Sequence, residues 1–378
     1  MAPESPPLAE SWPAGGPRQV WQSEAVPAGQ DGGVASPVVA EGRVYIYVNW
    51  PRPAPGSVWK PADDVFLCLD ASDGTTVWRR VLPGEDRGLS GSSTPRIVGD
   101  RCYGAGSTGK VVCLDARTGE VRWQTSVVGQ GSIAPSVGVA DGVVVVQAGS
   151  LVALDARDGK TLWTQPAVEN HYASPVFWRK DDATYVLANS DWKVACVELR
   201  TGKVAWTAPG GGCATPTVAG DRMAIPADRG STSLVGYRLH ADLGEVWWVA
   251  PGTSSGSSAL LHEGHVYTVA DGRLGCVRFE SGEVAWEQRR KANYSSPVLA
   301  DGKVLAVVDE GASLLMFAAI PDAYKPLAEA RLPIAPYSSP AVADGRLVLR
   351  LKHAIACYDL RAEAPANASS QPAAPQAP

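Results

Sequence analysis

No stretch of this sequence approaches the roughly 20 consecutive apolar residues that a membrane-crossing helix needs. Blocks of Lys and Arg are missing as well. The 34 basic residues are dispersed among 39 acidic ones, for a net charge of −5. Phosphate backbones are gripped by clustered cations, so nothing here points to a nucleic-acid partner. The opening segment, MAPESPPLAESWPAGGP, lacks the apolar core of a secretory leader. On that segment alone, a cytosolic protein or a processed chain with an added Met is expected. The first cysteine is Cys68, so none near the start is placed to carry a lipid.

The seven cysteines are Cys68, Cys102, Cys113, Cys196, Cys213, Cys276 and Cys357. They form no C-x-x-C, no haem-attachment motif and no metal-ligand spacing. Cys68, Cys113, Cys196, Cys276 and Cys357 fall at one point of a recurring phrase, which is the usage of a small core residue. No pair of carboxylates falls at a recurring position.

What is present is a repeat. VVCLDARTGEVRW ends at Trp123, and LVALDARDGKTLW repeats it to end at Trp163. Each full cassette begins with a small residue and Pro, as in SPVVAEGRVYIYV from Ser36. A D-G-type turn and a second strand follow, then a variable loop. A third strand carries the C/A-L-D step, a T-G or D-G turn reverses the chain, and a fourth strand ends in Trp. From Trp78 the terminal tryptophans (Trp123, Trp163, Trp206, Trp248 and Trp286) follow at intervals of 45, 40, 43, 42 and 38 residues. Gly74, Gly119, Gly159, Gly202, Gly244 and Gly282 precede them by four positions, where a hairpin needs positive φ. Four short strands in a period near 42 indicate a radial β-repeat.

The seventh unit, from Ser296, lacks the Trp. The eighth, from Ser339, stops after its third strand, IACYDLR. The N-terminus has a spare strand, PRQVWQSEAV, with Trp21 in the terminal position. The predicted fold is all-β: an eight-bladed β-propeller of four-stranded antiparallel blades, closed by the N-terminal strand completing the last blade. Residues 18–361 form the propeller, with an insertion at 49–64 in blade 1. Residues 1–17 and 362–378 are Pro- and Ala-rich tails expected to be disordered. Trp21, Trp78, Trp123, Trp163, Trp206, Trp248 and Trp286 are expected to pack between blades.

Propeller topology places the first-to-second and third-to-fourth turns on one face, where they are short D-G and T-G turns. The second-to-third loops and the inter-blade connections share the other face. There the insertion NWPRPAPGSVWKPADD carries Trp50 and Trp59 in a proline-stiffened loop, suited either to a partner or to packing on the propeller itself. The connections ENHYASP, KANYSSP and IAPYSSP set Tyr172, Tyr294 and Tyr337 at equivalent places, with His171 and Asn293 before two of them. Other connections are glycine-rich. Trp192 and Arg229 sit on second-to-third loops of the same face. These residues define an aromatic funnel that either binds a ligand or plugs the channel.

The cassette resembles the PQQ-like, quinoprotein-type β-propeller family, whose blades carry A-x-D-x-x-T-G-x-x-x-W. The resemblance covers about residues 18 to 361 and implies the fold. The family uses this blade for redox enzymes, scaffolds and sensors. Its dehydrogenases are longer, and many carry adjacent cysteines and bind Ca²⁺ through a Glu, Asn and Asp set. No two cysteines are adjacent here, and the inter-blade acids are Asp31, Glu85, Asp86 and Glu169. The expectation is a non-catalytic, monomeric propeller that engages a protein partner or small ligand on the loop-rich face, with no cofactor. A PQQ-dependent dehydrogenase with Ca²⁺ and a small-molecule or glycan sensor are the alternatives. By resemblance, the location is periplasmic or otherwise extracytoplasmic.

Overall fold

Continuous apolar runs make the two middle strands of a blade, alternating runs make its outer strand, and the D-G and T-G steps turn the chain back on itself. The computed structural model describes residues 6–29, 32–53, 61–84, 93–127, 135–170, 172–190, 192–228, 232–251, 256–270, 272–292 and 294–362. They form eight antiparallel blades arranged as a β-propeller. From channel to rim, blade 1 consists of Val38–Ala40, Arg43–Pro51, Ala62–Asp70 and Thr76–Leu82. In blade 3 the two middle strands are one run, Val143–Asp155, with Gly149 inside it at φ 78°. The blade-1 insertion is shorter as a loop than its sequence implies. Residues 49–51 and 62–64 are paired strand, with Asn49 opposite Asp64 and Pro51 opposite Ala62.

The ring closes as the sequence indicates. Ala341–Ala343, Arg346–Arg350 and Ile355–Asp359 take Arg18–Gln22 as their outer strand, with Trp21 opposite Cys357. The Trp21 indole then reaches across to blade 1, donating to the Ala71 carbonyl at 2.9 Å. Its ring lies on Gly74, which has φ 77°. A Cβ at Gly74 would sit 2.4 Å from that ring, so the turn needs Gly for conformation and for space. The relation recurs around the ring, as with Trp78 over Gly119 and Trp163 over Gly202. Trp286 meets Tyr324 instead, with ring centroids 5.5 Å apart, and donates to the Ile320 carbonyl at 3.0 Å. Each such indole contributes on the order of 2–3 kcal/mol by leaving water.

The apolar clusters straddle blades. Tyr103, Cys113 and Trp123 of blade 2 pack with Val144, Val146 and Leu154 of blade 3. No blade therefore buries its faces alone. The recurring cysteines are buried and face the tryptophans in register, as Cys113 faces Trp123.

Blade 7 has Ala328, opposite Met316, where the other blades carry Trp. Residues 6–17, expected as part of a disordered tail, pack here. Trp12 lies against the cluster that includes Met316, Ala328 and Leu349. Leu8 is 4% exposed, and its N–H donates to the Asp301 carboxylate at 2.8 Å. The Ala9 N–H donates to the Leu360 carbonyl at 2.8 Å. The apolar side chains Leu8 and Trp12, set among prolines, supply the burial that composition alone did not suggest. Residues 1–5 and 363–378 lie outside the described residues.

Candidate interaction face

The small residues at the blade entrances form a closed girdle. Ser36, Thr94, Ser136, Ser174, Thr215, Ser258, Ser296 and Ser339 each donate a backbone N–H to the hydroxyl oxygen of the next, at 2.9 to 3.2 Å. The cassette APSVGV shows why the hydroxyl matters more than the proline. Ser136, which follows Pro135, takes the place that Ser36, which precedes Pro37, takes in blade 1.

Two residues ahead of the girdle lie the positions that rim the channel mouth. Among the described residues these are Val34, Tyr172, Cys213, Gly256, Tyr294 and Tyr337. Tyr172 is 62% exposed, Tyr294 51% and Tyr337 46%. The Tyr294 and Tyr337 rings stack, with centroids 5.4 Å apart and planes inclined by 29°. Tyr294 lies so close over Gly256 that a Cβ there would come within 1.6 Å of its ring. Tyr337 has φ 68°, a left-handed conformation that costs a tyrosine about 1–2 kcal/mol. The Ser338 hydroxyl, on the Ala35 carbonyl at 3.3 Å, and the girdle bond of Ser339 hold it there.

Tyr172 is presented by buried amides that sequence reasoning missed. Asn170 Oδ1 accepts the Tyr172 and Ala173 N–H groups at 2.7 and 3.0 Å. Its Nδ2 donates to the Asn189 and Gly212 carbonyls at 3.0 and 3.1 Å. Asn189 Nδ2 caps Gly211, Gly212 and Ala214, and Gln147 Nε2 joins at the Asn189 carbonyl. Asn170 and Asn189 stand inside the phrases ENHYASP and NSDWKV, where burial, the decisive property, was not visible. Trp192, in the adjoining loop of blade 4, is 74% exposed.

Trp50 is half-buried. It packs on the cluster shared by blades 8 and 1, with the Arg79 guanidinium 3.9 Å above its ring. Nearby, Asp64 is fully buried. One of its oxygens accepts from the Tyr47 hydroxyl at 2.5 Å, from Asn49 and from Ser107. Burial, and then the Asp64 charge, push the Tyr47 phenol well up. Across the blade 8 junction, buried Arg350 donates to the Pro27, Gly32 and Ala35 carbonyls, and burial lowers its pKa to about 9. Trp59, His171, Arg229 and Asn293 lie outside the described residues.

The face offers flat aromatic surfaces with phenol handles on a rigid rim. Among the described residues no three His, Cys, Asp or Glu side chains gather as metal ligands. The one exposed cysteine is Cys213. Asp31, Glu85 and Asp86 lie outside the described residues, and the described rim by itself supplies no Ca²⁺ ligand set. No described helix is long and apolar enough to cross a membrane.

This architecture defines a PQQ-like β-propeller with an aromatic rim. The family model described as outer membrane protein assembly factor BamB matches residues 14–148, 130–208 and 147–364, and the chain belongs to that family. The outer membrane protein assembly factor BamB of Burkholderia pseudomallei is 26% identical over 256 residues, 62% of this chain and 62% of that protein. The chain thus aligns with less than two thirds of that relative's length. The crystal structure of BamB from Moraxella catarrhalis superposes with a TM-score of 0.67 at 18% identity, covering 89% of this chain and 97% of that one. The quinohemoprotein alcohol dehydrogenase of Comamonas testosteroni gives 0.65 at 14% identity, covering 94% and 78%. Both structural likenesses concern the fold.

Proposed function

We propose that this chain is a non-catalytic, monomeric scaffold that holds a protein partner on its loop-rich face, outside the cytoplasm, in outer-membrane protein assembly. The observation that carries this reading is the Tyr294–Tyr337 stack, half-exposed and held on a strained backbone at the mouth. Rigid aromatics lose little entropy on docking and dominate protein interfaces. Tyr172 and Trp192 extend the same surface across blades 3 and 4, and Trp59, His171, Arg229 and Asn293, which lie outside the described residues, are proposed as further contacts from the sequence. The names of the family and of its relative supply the setting. The reading invokes no cofactor, and the described rim supplies neither adjacent cysteines nor a metal-ligand set. The dispersed charge, net −5, leaves nucleic acid without a binding surface.

Photo-crosslinking residues placed at Tyr172, Tyr294 and Tyr337 in cells test the reading. Crosslinks to an outer-membrane assembly component are expected from these positions and not from Thr118 on the opposite face. Equal crosslinking from both faces would overturn it. Added PQQ with Ca²⁺ is expected to leave the melting temperature and dye reduction unchanged. A shift of several degrees with turnover would favour the dehydrogenase instead.

A further inference from the structure

The innermost strands run from the girdle toward the turn-bearing face, and between them lies a cavity of about 790 Å³. Its lining has a one-sided chemistry. Thr94, Ser136, Ser174 and Thr215 contribute hydroxyls, Arg96 contributes a guanidinium, and every other lining residue is apolar or glycine. No carboxylate lines it.

We propose that this chamber binds a small oxyanion, a carboxylate or a phosphate. Each girdle hydroxyl already accepts a backbone N–H from its neighbour. None of the four donates its own hydrogen to an acceptor among the described residues. A hydroxyl with its acceptor side engaged and its proton unspent is poised as a donor. Arg96 has neither an ion-pair partner nor a hydrogen-bond acceptor among the described residues, unlike Arg122, which bridges Asp100 and Asp115 at 2.6 Å. The guanidinium is a planar fork that takes two oxygens of one anion. Arg96 is exposed to the solvent of this space, and the apolar walls around it offer no counter-charge. Residues with free donors thus line a space that contains no anionic side chain among the lining residues.

The site is separate from the aromatic rim. Tyr172, Tyr294 and Tyr337 lie before the girdle in each connection, whereas Arg96 lies two residues beyond it. The two proposals therefore stand or fall independently.

Isothermal titration of the full-length protein with inorganic phosphate, and separately with acetate and succinate, tests the inference in chloride buffer at fixed ionic strength. Saturable binding of at least one of these anions is expected. Preference for phosphate or for the carboxylates identifies which source the chamber takes. Arg96→Gln is expected to weaken that binding by about tenfold or more, as for loss of a charge-assisted hydrogen bond. Arg96→Lys keeps the charge without the fork and is expected to weaken it less. Tyr337→Ala is expected to leave it unchanged. An unaltered melting temperature of anion-free Arg96→Gln shows that the fold is intact. Absence of saturable heat with all three anions overturns the inference, and so does equal affinity in wild type and Arg96→Gln.

Discussion

The backbone N–H of Ser339 donates to the hydroxyl of Ser36 at 2.9 Å, across 303 residues of sequence. It is the last of eight equivalent bonds, and it joins blade 8 to blade 1. Ser36→Ala removes that acceptor and also the partner on which the loop carrying Tyr337 is anchored. A loss of about 1–3 kcal/mol in chemical denaturation is expected. Ser36→Thr retains the oxygen and is expected to stay close to wild type.

Trp21 closes the same junction at the rim. Trp21→Ala leaves a cavity over Gly74 and leaves the Ala71 carbonyl with only the Arg346 guanidinium, at 3.4 Å, as a side-chain donor. A cost of about 3–5 kcal/mol is expected in urea unfolding, and Trp21→Phe is expected to lose less. Equal stability of wild type and Trp21→Ala would refute the assignment of this contact as the closure.

Tyr337 carries a conformational cost that glycine would not. Tyr337→Gly and Tyr337→Ala both remove the ring, but only alanine stays strained at φ 68°. The glycine variant is expected to be the more stable of the two by about 1 kcal/mol, while both lose crosslinking to the partner.

Gly256→Ala tests the rim without touching its exposed surface. The added Cβ meets the Tyr294 ring, so the ring must leave its place beside Tyr337. Partner crosslinking from Tyr337 is expected to fall, with the melting temperature little changed.

Acid exposes the turns of the opposite face. The Asp115 carboxylate takes Arg122, Thr118 and Arg117 as donors, which lowers its pKa to about 2. A depressed carboxylate contributes stability that is present above the unfolded value near 4 and lost as pH falls toward 2. Asp115→Asn is therefore expected to melt slightly below wild type at pH 7, with the gap closing between pH 4 and pH 2. A gap that persists at pH 2 would assign the effect to something other than this charge.

The repeat made the fold legible. Gly at the turn and Trp four residues later are conditions a blade must meet locally, so they recur visibly, and the incomplete eighth unit with its spare N-terminal strand announced the closure. Trp12 was less legible. It lies outside any cassette and among prolines, and only the missing Trp of blade 7 explains its burial. The rim was half legible. Tyr172, Tyr294 and Tyr337 could be aligned by their cassettes, yet their exposure, the stack of two of them and the seat of Tyr294 on Gly256 depend on how neighbouring blades are angled.

Sequence alone thus determined the strand order, the turn positions and the closure, because each follows from contacts within one cassette or from a cassette left incomplete. Tertiary structure decided the hydroxyl girdle, the buried amides behind Tyr172 and the chamber around Arg96. Each of these includes contacts between residues about forty positions apart, and those partners are chosen by the geometry of the ring. A serine that closes a circle of eight looks, in sequence, like any small residue beside a proline.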